Sequence, residues 1–149
     1  MKKILLLTLL PVAAMAAPSL KGFEKTYQNW DLICDNTGTC NMAGYPEGDG
    51  SEHSVSILFT RSAGEQAPVT AQLALLPDEL GNKTAEIILN GQSLGAIPNI
   101  SEEGIAKLSE KQTTELLTAL KGNADIEVAF GEFKEKVSDK GAAAAMLKM

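Results

Sequence analysis

The sequence predicts an α+β fold that is mainly antiparallel β-sheet or sandwich, with one or two helices. Three observations support this prediction. Apolar and polar residues alternate with a period of two over several short runs, which is typical of strands that bury one face. An Asn-Gly pair separates two apolar runs and indicates a tight hairpin. One segment in the second half combines helical spacing of leucines with a capping signal.

The N-terminus has the features of a secretory signal peptide. A basic start, MKK, precedes a short apolar run, and the tripeptide AMA fits the small-x-small pattern of a cleavage site. The apolar run is too short for a membrane span of about 20 residues, which disfavours an uncleaved anchor. We therefore expect residues 1–16 to be removed on export to the periplasm. Residues 17–149 are expected to form a single disulfide-stapled, β-rich domain.

The middle of the chain predicts neighbouring strands. The runs 30–34, 55–61 and 69–75 each alternate apolar and polar side chains. The residues between the second and third runs, 64–68, predict a turn that makes those two strands antiparallel neighbours. Asn90-Gly91 predicts a further hairpin, because both positions of such a two-residue turn need positive φ.

The last part of the chain predicts one hairpin and two helices. Gly131 is expected to turn one strand back into the next. Ser109 and Gln112 fit a capping box at the start of a helix, and Gly122 fits the cap at its end. A second helix is expected from about residue 139 to residue 149, and no stop signal follows it.

The charge of the chain limits the classes of partner. Thirteen Lys and Arg residues stand against 19 Asp and Glu residues, a net charge of −6, which becomes −8 when Lys2 and Lys3 leave with the signal peptide. Nucleic acids and anionic lipids need clustered basic residues, so neither is an expected partner. A basic protein of the envelope would suit this charge. The simpler explanation is that the charge keeps an exported protein in solution.

Two cysteines, Cys34 and Cys40, flank a five-residue turn-forming segment. Redox pairs usually have two intervening residues at a helix N-terminus, and structural zinc sites normally need four Cys or His ligands. In an oxidising compartment, a pair at hairpin spacing is best explained as a disulfide. A redox or metal role remains the alternative.

No set of residues in the sequence identifies a chemical reaction that the protein would catalyse. His53 lies near Glu47, Asp49 and Glu52, where it would be either a solvated loop histidine or part of a metal or proton-transfer site. The partial acidic spacing there lacks the full ligand set of a calcium loop. Nucleophile-elbow and phosphate-loop motifs are absent, and paired carboxylates cannot be chosen among 19 acids without geometry. We expect no catalytic residue, no metal and no cofactor.

Arg61 is the only arginine and Trp30 the only tryptophan. Arg61 closes a predicted strand, where it would be either a bidentate anchor for a carboxylate or a structural charge. It is the candidate recognition residue. Trp30 shares a strand face with Cys34, which predicts that its ring packs in the core near the disulfide.

The segment WDLICDNTGTCNMAGY resembles the signature W-x-x-x-C-D-N-x-x-x-C-x-x-x-G-Y of exported bacterial proteins called domain of unknown function 1176. TRSAGEQAPV is similar to the R-x-A-G-x-x-A-P motif of that family, and GAAAAMLKM is similar to its Ala-rich segment. The matched residues of the first two motifs are Trp30, Cys34, Asp35, Asn36, Cys40, Gly44, Tyr45, Arg61, Ala63, Gly64, Ala67 and Pro68.

The family resemblance carries further expectations. Members are longer and contain more cysteines, so this chain is expected to be a short member or the N-terminal half of a longer protein. The order of strands is also similar, more loosely, to invasion-associated locus B-like proteins. Because the family has no established activity, the resemblance implies no catalytic residues.

The sequence favours a non-enzymatic periplasmic protein that acts as a binding or envelope-associated module. The alternative is an acidic inhibitor of a basic envelope hydrolase such as lysozyme, since charge complementarity speeds encounter. A hydrolase that uses His53 or paired carboxylates is the third class. No membrane span is expected once the signal peptide has been removed.

Overall fold

The computed structural model of the chain describes residues 21–48, 55–76 and 84–149. The predicted signal peptide and His53 lie outside these ranges. The strands within them are β1 (Phe23–Tyr27), β2 (Trp30–Cys34), β3 (Cys40–Gly44), β4 (Val55–Arg61), β5 (Val69–Leu75), β6 (Ala85–Leu89), β7 (Gln92–Ile97), β8 (Ile105–Lys107), β9 (Ile126–Phe130) and β10 (Phe133–Val137). The helices of the same ranges are α1 (Glu110–Ala119) and α2 (Ala142–Met146).

These strands form two sheets in which every pairing is antiparallel. The first sheet has the order β1-β2-β3-β4-β5-β8, and the second has the order β10-β9-β6-β7. The first five strands follow one another as a meander. The chain then enters the second sheet with β6 and β7, and returns to the first with β8. The predicted α+β class, dominated by antiparallel sheet, is confirmed.

Alternation of side chains gives each sheet one buried face. In β2, Trp30, Leu32 and Cys34 are buried, whereas the two residues between them point the other way. The strands β4, β6 and β9 show the same alternation. Buried side chains from both sheets join in one hydrophobic core. Burial of apolar surface in this core is the main favourable contribution to folding.

The Asn-Gly hairpin has the predicted backbone conformation. Asn90 and Gly91 connect β6 to β7 with φ angles of 51° and 79°. The side chain of Asn90 also accepts a hydrogen bond from the backbone N–H of Asp125, at 2.9 Å, just before β9. The turn therefore sets the pairing next to it, Leu89 with Gln92, and positions the start of the neighbouring strand.

The capping box of α1 is formed as predicted. The Ser109 hydroxyl accepts a hydrogen bond from the backbone N–H of Gln112, and the Gln112 side chain accepts one from the backbone N–H of Ser109. The amide nitrogen of Gln112 also lies 3.3 Å from the carbonyl oxygen of Leu94 and 3.4 Å from that of Gly95. Gln112 thereby ties the helix to β7, the edge strand of the second sheet.

The second helix is shorter than the sequence predicts, and it packs closely. Asp139 lies outside it and accepts a hydrogen bond from the backbone N–H of Ala124. Gly141 has a φ of 95°, so a right-handed helix begins only after it. A Cβ atom at Gly141 would lie 1.8 Å from the carbonyl oxygen of Tyr27. Ala142 and Ala145 are fully buried, and their small side chains allow α2 to lie against the first three strands.

Candidate functional site

The two cysteines close the β2–β3 hairpin. Cys34 and Cys40 are directly opposed in the register of the two strands, with Cα atoms 4.0 Å apart, and their sulfurs are bonded. Both side chains are buried. The prediction of a disulfide across a tight hairpin is confirmed.

The turn inside the disulfide loop is organised by Asp35. Its carboxylate accepts hydrogen bonds from the Thr37 hydroxyl at 2.6 Å, the Thr37 backbone N–H at 2.8 Å and the Thr39 backbone N–H at 3.0 Å. These bonds, led by the one from the Thr37 hydroxyl, lower the pKa of Asp35. Gly38 has a φ of 90°, as the turn requires. Asp35 therefore acts locally, as the acceptor that holds the turn closed.

Trp30 occupies the centre of the core at the other end of β2. It is fully buried and stacks on Phe59, with ring centroids 6.1 Å apart. Its cross-strand partner is Gly44, and a Cβ atom there would lie 2.3 Å from the Trp30 ring. The indole N–H donates to the carbonyl oxygen of Ser138 at 2.8 Å. The ring is thus part of the core, as predicted, although it begins the strand that Cys34 ends.

Ser138 connects the two sheets behind the tryptophan. It is buried, and its backbone N–H donates to the carbonyl oxygen of Tyr45 at the end of β3. Its hydroxyl accepts a hydrogen bond from the backbone N–H of Lys140 and lies 3.4 Å from the Glu47 carboxylate. A hydrogen-bonded ion pair with Lys140, 2.8 Å long, lowers the pKa of Glu47. The cluster is a structural connection, because each of these side chains bonds to the backbone or to another member of the cluster.

Replacing Trp30 with Phe should reduce the free energy of unfolding. The smaller ring cannot donate to the Ser138 carbonyl oxygen, and a buried group that loses its partner costs about 1–3 kcal/mol. Urea unfolding followed by circular dichroism measures the change. Tyr27→Phe is the control, since it removes a hydroxyl from a partly exposed ring, and we expect it to cost less than about 0.5 kcal/mol. Equal effects of the two substitutions would contradict a structural role for the Trp30–Ser138 hydrogen bond.

Arg61 ends β4 beside the disulfide. It lies opposite Cys40 on one side and opposite Val69 on the other. The residue is partly exposed, but its Nε atom is buried and has no hydrogen-bond partner among the residues that the structure describes. Of the four ion pairs among the described residues, each uses a lysine and none uses Arg61. Within that part of the chain, the guanidinium has no carboxylate at ion-pair distance.

A groove of about 980 Å³ runs beside α1, between β7 of the second sheet and the β5–β8 side of the first. Its walls are largely apolar, formed by Val69, Leu94, Ala96, Pro98, Leu108 and Leu117. Gln112 contributes an amide, and two charged residues, Lys107 and Glu110, also line the groove. Small-molecule sites in proteins are typically concave and mostly apolar, with a few polar groups. The groove has these properties.

The comparisons with known proteins agree with the architecture. A family model described as "Protein of unknown function (DUF1176)" matches residues 24–149. The chain belongs to this family. A solved structure, that of invasion associated protein B from Bartonella henselae, is similar in fold, with a TM-score of 0.56 and 17% sequence identity. The similarity covers 85% of this chain and 94% of that one. No curated protein matches the sequence.

The residues matched to the first DUF1176 motif lie where the fold needs them. Trp30 and Gly44 form one tightly packed pair, Cys34 and Cys40 form the disulfide, and Asp35 closes the turn between them. Arg61, which belongs to the second motif, lies opposite Cys40 in the register of β3 and β4. Packing, the disulfide and hydrogen bonds to the backbone account for these five residues of the first motif.

The other candidates from the sequence give no site in the described residues. His53 lies outside those residues. No group of three or more His, Cys, Asp or Glu side chains within residues 21–48, 55–76 and 84–149 is arranged to hold a metal ion. In the same ranges, no helix has the length and apolar content that a membrane crossing requires.

Sequence reasoning missed the groove. The one feature of the sequence that could have indicated the groove is the stretch from Ile87 to Ser101, which contains no charged residue. That stretch includes β7, which forms one wall of the groove.

Proposed function

We propose that this DUF1176 protein is an exported binding module of the bacterial envelope that catalyses no reaction itself. The observation that carries the proposal is the groove beside α1. It offers apolar walls, one amide and two charged side chains. This composition is suited to holding a ligand. The hydroxyls of Ser109 and Thr113 also line the groove, but both make hydrogen bonds at the start of α1, which supports a binding role rather than a nucleophilic one.

Export is supported by the N-terminal sequence and by the disulfide. Disulfides persist in oxidising compartments such as the bacterial periplasm and are rare in the cytosol. The proposal includes residues 17–149 as a single disulfide-stapled domain, which in longer family members would be the N-terminal part.

When the full chain is produced in a bacterium, the processed protein should begin at Ala17 and be found in the periplasm. The reason for this expectation is the cleavage pattern AMA, which follows a short apolar run. N-terminal sequencing of the protein released by osmotic shock checks this. An Ala14→Lys, Ala16→Lys variant is the control, and it should retain the uncleaved N-terminus. Membrane-bound wild-type protein that keeps Met1 would contradict the proposed location.

The proposed function is tested with isotope-labelled mature protein and a lipid extract of the bacterial envelope. Binding should shift the amide resonances of groove residues such as Leu94 and Leu117. The added compounds should be recovered chemically unchanged by mass spectrometry. Conversion of a compound to a product would contradict the non-enzymatic role, and an unchanged spectrum would contradict binding at the groove.

A second candidate is an acidic inhibitor of a basic envelope hydrolase such as lysozyme. The observation that favours it is the excess of acids over bases, a net charge of −6 in the full chain. Complementary charge speeds the encounter of two proteins. Salt weakens this attraction, because at 0.1 M ionic strength exposed charges more than about 10 Å apart are largely screened from each other. A lysozyme turbidity assay distinguishes the two candidates. Inhibition that weakens with salt would support the inhibitor, and undiminished lysis would exclude it for this enzyme.

A further inference from the structure

We propose that the groove beside α1 binds an apolar molecule that ends in a carboxylate, and that Arg61 is the residue that holds the carboxylate. This inference rests on the proposed binding function and names the class of ligand. Two sources share the chemistry, a fatty acid and the free C-terminus of an apolar peptide. The fatty acid is the occupant that the groove favours, because apolar side chains provide most of the exposed surface of its walls.

The position of Arg61 connects it to the groove. Val69 lines the groove and is the cross-strand partner of Arg61 in the β4–β5 register. Directly opposed residues of an antiparallel pair lie on the same face, with Cα atoms about 4.5–5.5 Å apart. An arginine side chain is longer than this separation, so the guanidinium can reach a ligand that lies against Val69.

The state of the guanidinium indicates that an acceptor is missing. Its Nε atom is buried without a hydrogen-bond partner, and no carboxylate of the described residues pairs with it. Buried polar groups are nearly always hydrogen-bonded, and an exception calls for an explanation. The fixed fork of N–H donors matches a carboxylate, which can accept two of them at once. A bound carboxylate would supply an acceptor that the described residues of the free protein do not.

The charges around the groove suit an anion better than a cation. Lys107 lines the groove and takes part in none of the ion pairs found among the described residues. Within the lining, Lys107 balances Glu110. Arg61 is not part of the lining, but it pairs with Val69 in the β4–β5 register and adds one positive charge at this end of the groove. This local balance is opposite in sign to the net charge of the chain. The Val69 end of the groove therefore carries a positive charge on an acidic protein.

The size of the groove agrees with this class of ligand. Its volume of about 980 Å³ lies at the upper end of the roughly 300–1,000 Å³ that is common for ligand sites. The apolar walls would bury a hydrocarbon chain, and the favourable transfer free energy grows with each CH₂ group that is buried. The apolar part would thus supply most of the affinity, and the carboxylate would set the orientation.

The test compares octanoate with 1-octanol, which share a hydrocarbon chain and differ in charge. Both are titrated into the labelled mature protein, and shifts are followed at Val69, Leu94 and Leu117. We expect octanoate to bind about tenfold more tightly than octanol, since a charge-assisted hydrogen bond is roughly twice as strong as a neutral one. Arg61→Gln should abolish this preference, whereas Arg61→Lys should keep part of it. Lys121→Gln, an exposed lysine at the far end of α1, is the matched control and should leave it unchanged.

Several outcomes would overturn the inference. These are equal binding of octanoate and octanol, a preference that survives in Arg61→Gln, and shifts confined to residues outside the groove.

N-acetyl-leucyl-phenylalanine and its amide form the second arm of the experiment. An Arg61-dependent preference for the acid over its amide, without octanoate binding, would assign the carboxylate to a peptide. If the envelope extract shifts groove residues but no carboxylate does, this inference fails while the proposed binding function stands. Circular dichroism of each variant confirms that it is folded.

Discussion

Gly44→Ala should be among the most destabilising single substitutions in this chain, with an expected loss of roughly 3 kcal/mol, at the upper end of the cost of overpacking a core. A Cβ atom at Gly44 would lie 2.3 Å from two atoms of the Trp30 ring. The ring cannot move aside freely, because it is fully buried, stacks on Phe59 and donates to Ser138. Urea unfolding followed by circular dichroism measures the loss, and the same probe serves variants that lack Trp30.

Gly122→Ala is the matched control. Like Gly44, Gly122 has no positive φ, but a Cβ atom there would have only one neighbour, the carbonyl oxygen of Ala119 at 3.9 Å. We expect the free energy of unfolding of this variant to be unchanged or up to about 1 kcal/mol higher, since alanine restricts the unfolded chain more than glycine does.

A double-mutant cycle with Trp30→Leu makes the test of Gly44 specific. If the clash with the ring is the cause, the two substitutions in contact should be non-additive, by about 0.5–3 kcal/mol. Additive effects would mean that Gly44 is required for another reason, and the explanation of this part of the DUF1176 motif would be wrong.

The features that the sequence predicted correctly are local. The alternation in β2, the disulfide between Cys34 and Cys40, and the Asn90-Gly91 turn each depend on residues close together in the chain. Period-two burial, hairpin spacing and positive φ are properties that a short segment carries by itself. For the same reason, the capping box of α1 was predictable from Ser109 and Gln112 alone.

Two strands were not predicted, because their pairing is decided by a partner. All but one of the residues of β1 are exposed, and its charged residues Glu24 and Lys25 give no apolar alternation. It is a strand because it lies in register with β2. Charged residues on an edge strand also discourage pairing with a further chain. β8 has only three residues, too few for any periodic signal.

The candidate site was predictable only in part. Arg61 stood out because it is the only arginine and closes a predicted strand. The groove could not be anticipated, since its walls come from both sheets. It forms because β8 pairs with β5 in the first sheet, although β6 and β7 of the second sheet lie between them in the sequence. Strand order of this kind is set by long-range packing, for which a single sequence carries no periodic signal.

Replacing both cysteines with alanine should lower the free energy of unfolding by about 2.4 kcal/mol, the chain-entropy value for a closed loop of about seven residues. The bridge joins directly opposed residues of β2 and β3, so the hairpin can still form without it. The Asp35 turn also remains, with its hydrogen bonds from Thr37 and Thr39. We therefore expect a folded protein with a lower urea midpoint and a similar m-value, since so short a loop hardly changes the surface exposed on unfolding.

Two further measurements separate the bridge from the side chains that form it. Reduction of the wild-type protein should lower the midpoint by nearly the same amount as the double substitution, because both remove the same constraint from the unfolded chain. Cys34→Ser, Cys40→Ser should cost more than the alanine pair, since both positions are buried and a hydroxyl there needs a partner. A double alanine variant as stable as the wild type would show that the turn and the sheet already fix this hairpin. Free thiols in protein isolated from the periplasm would contradict the disulfide itself.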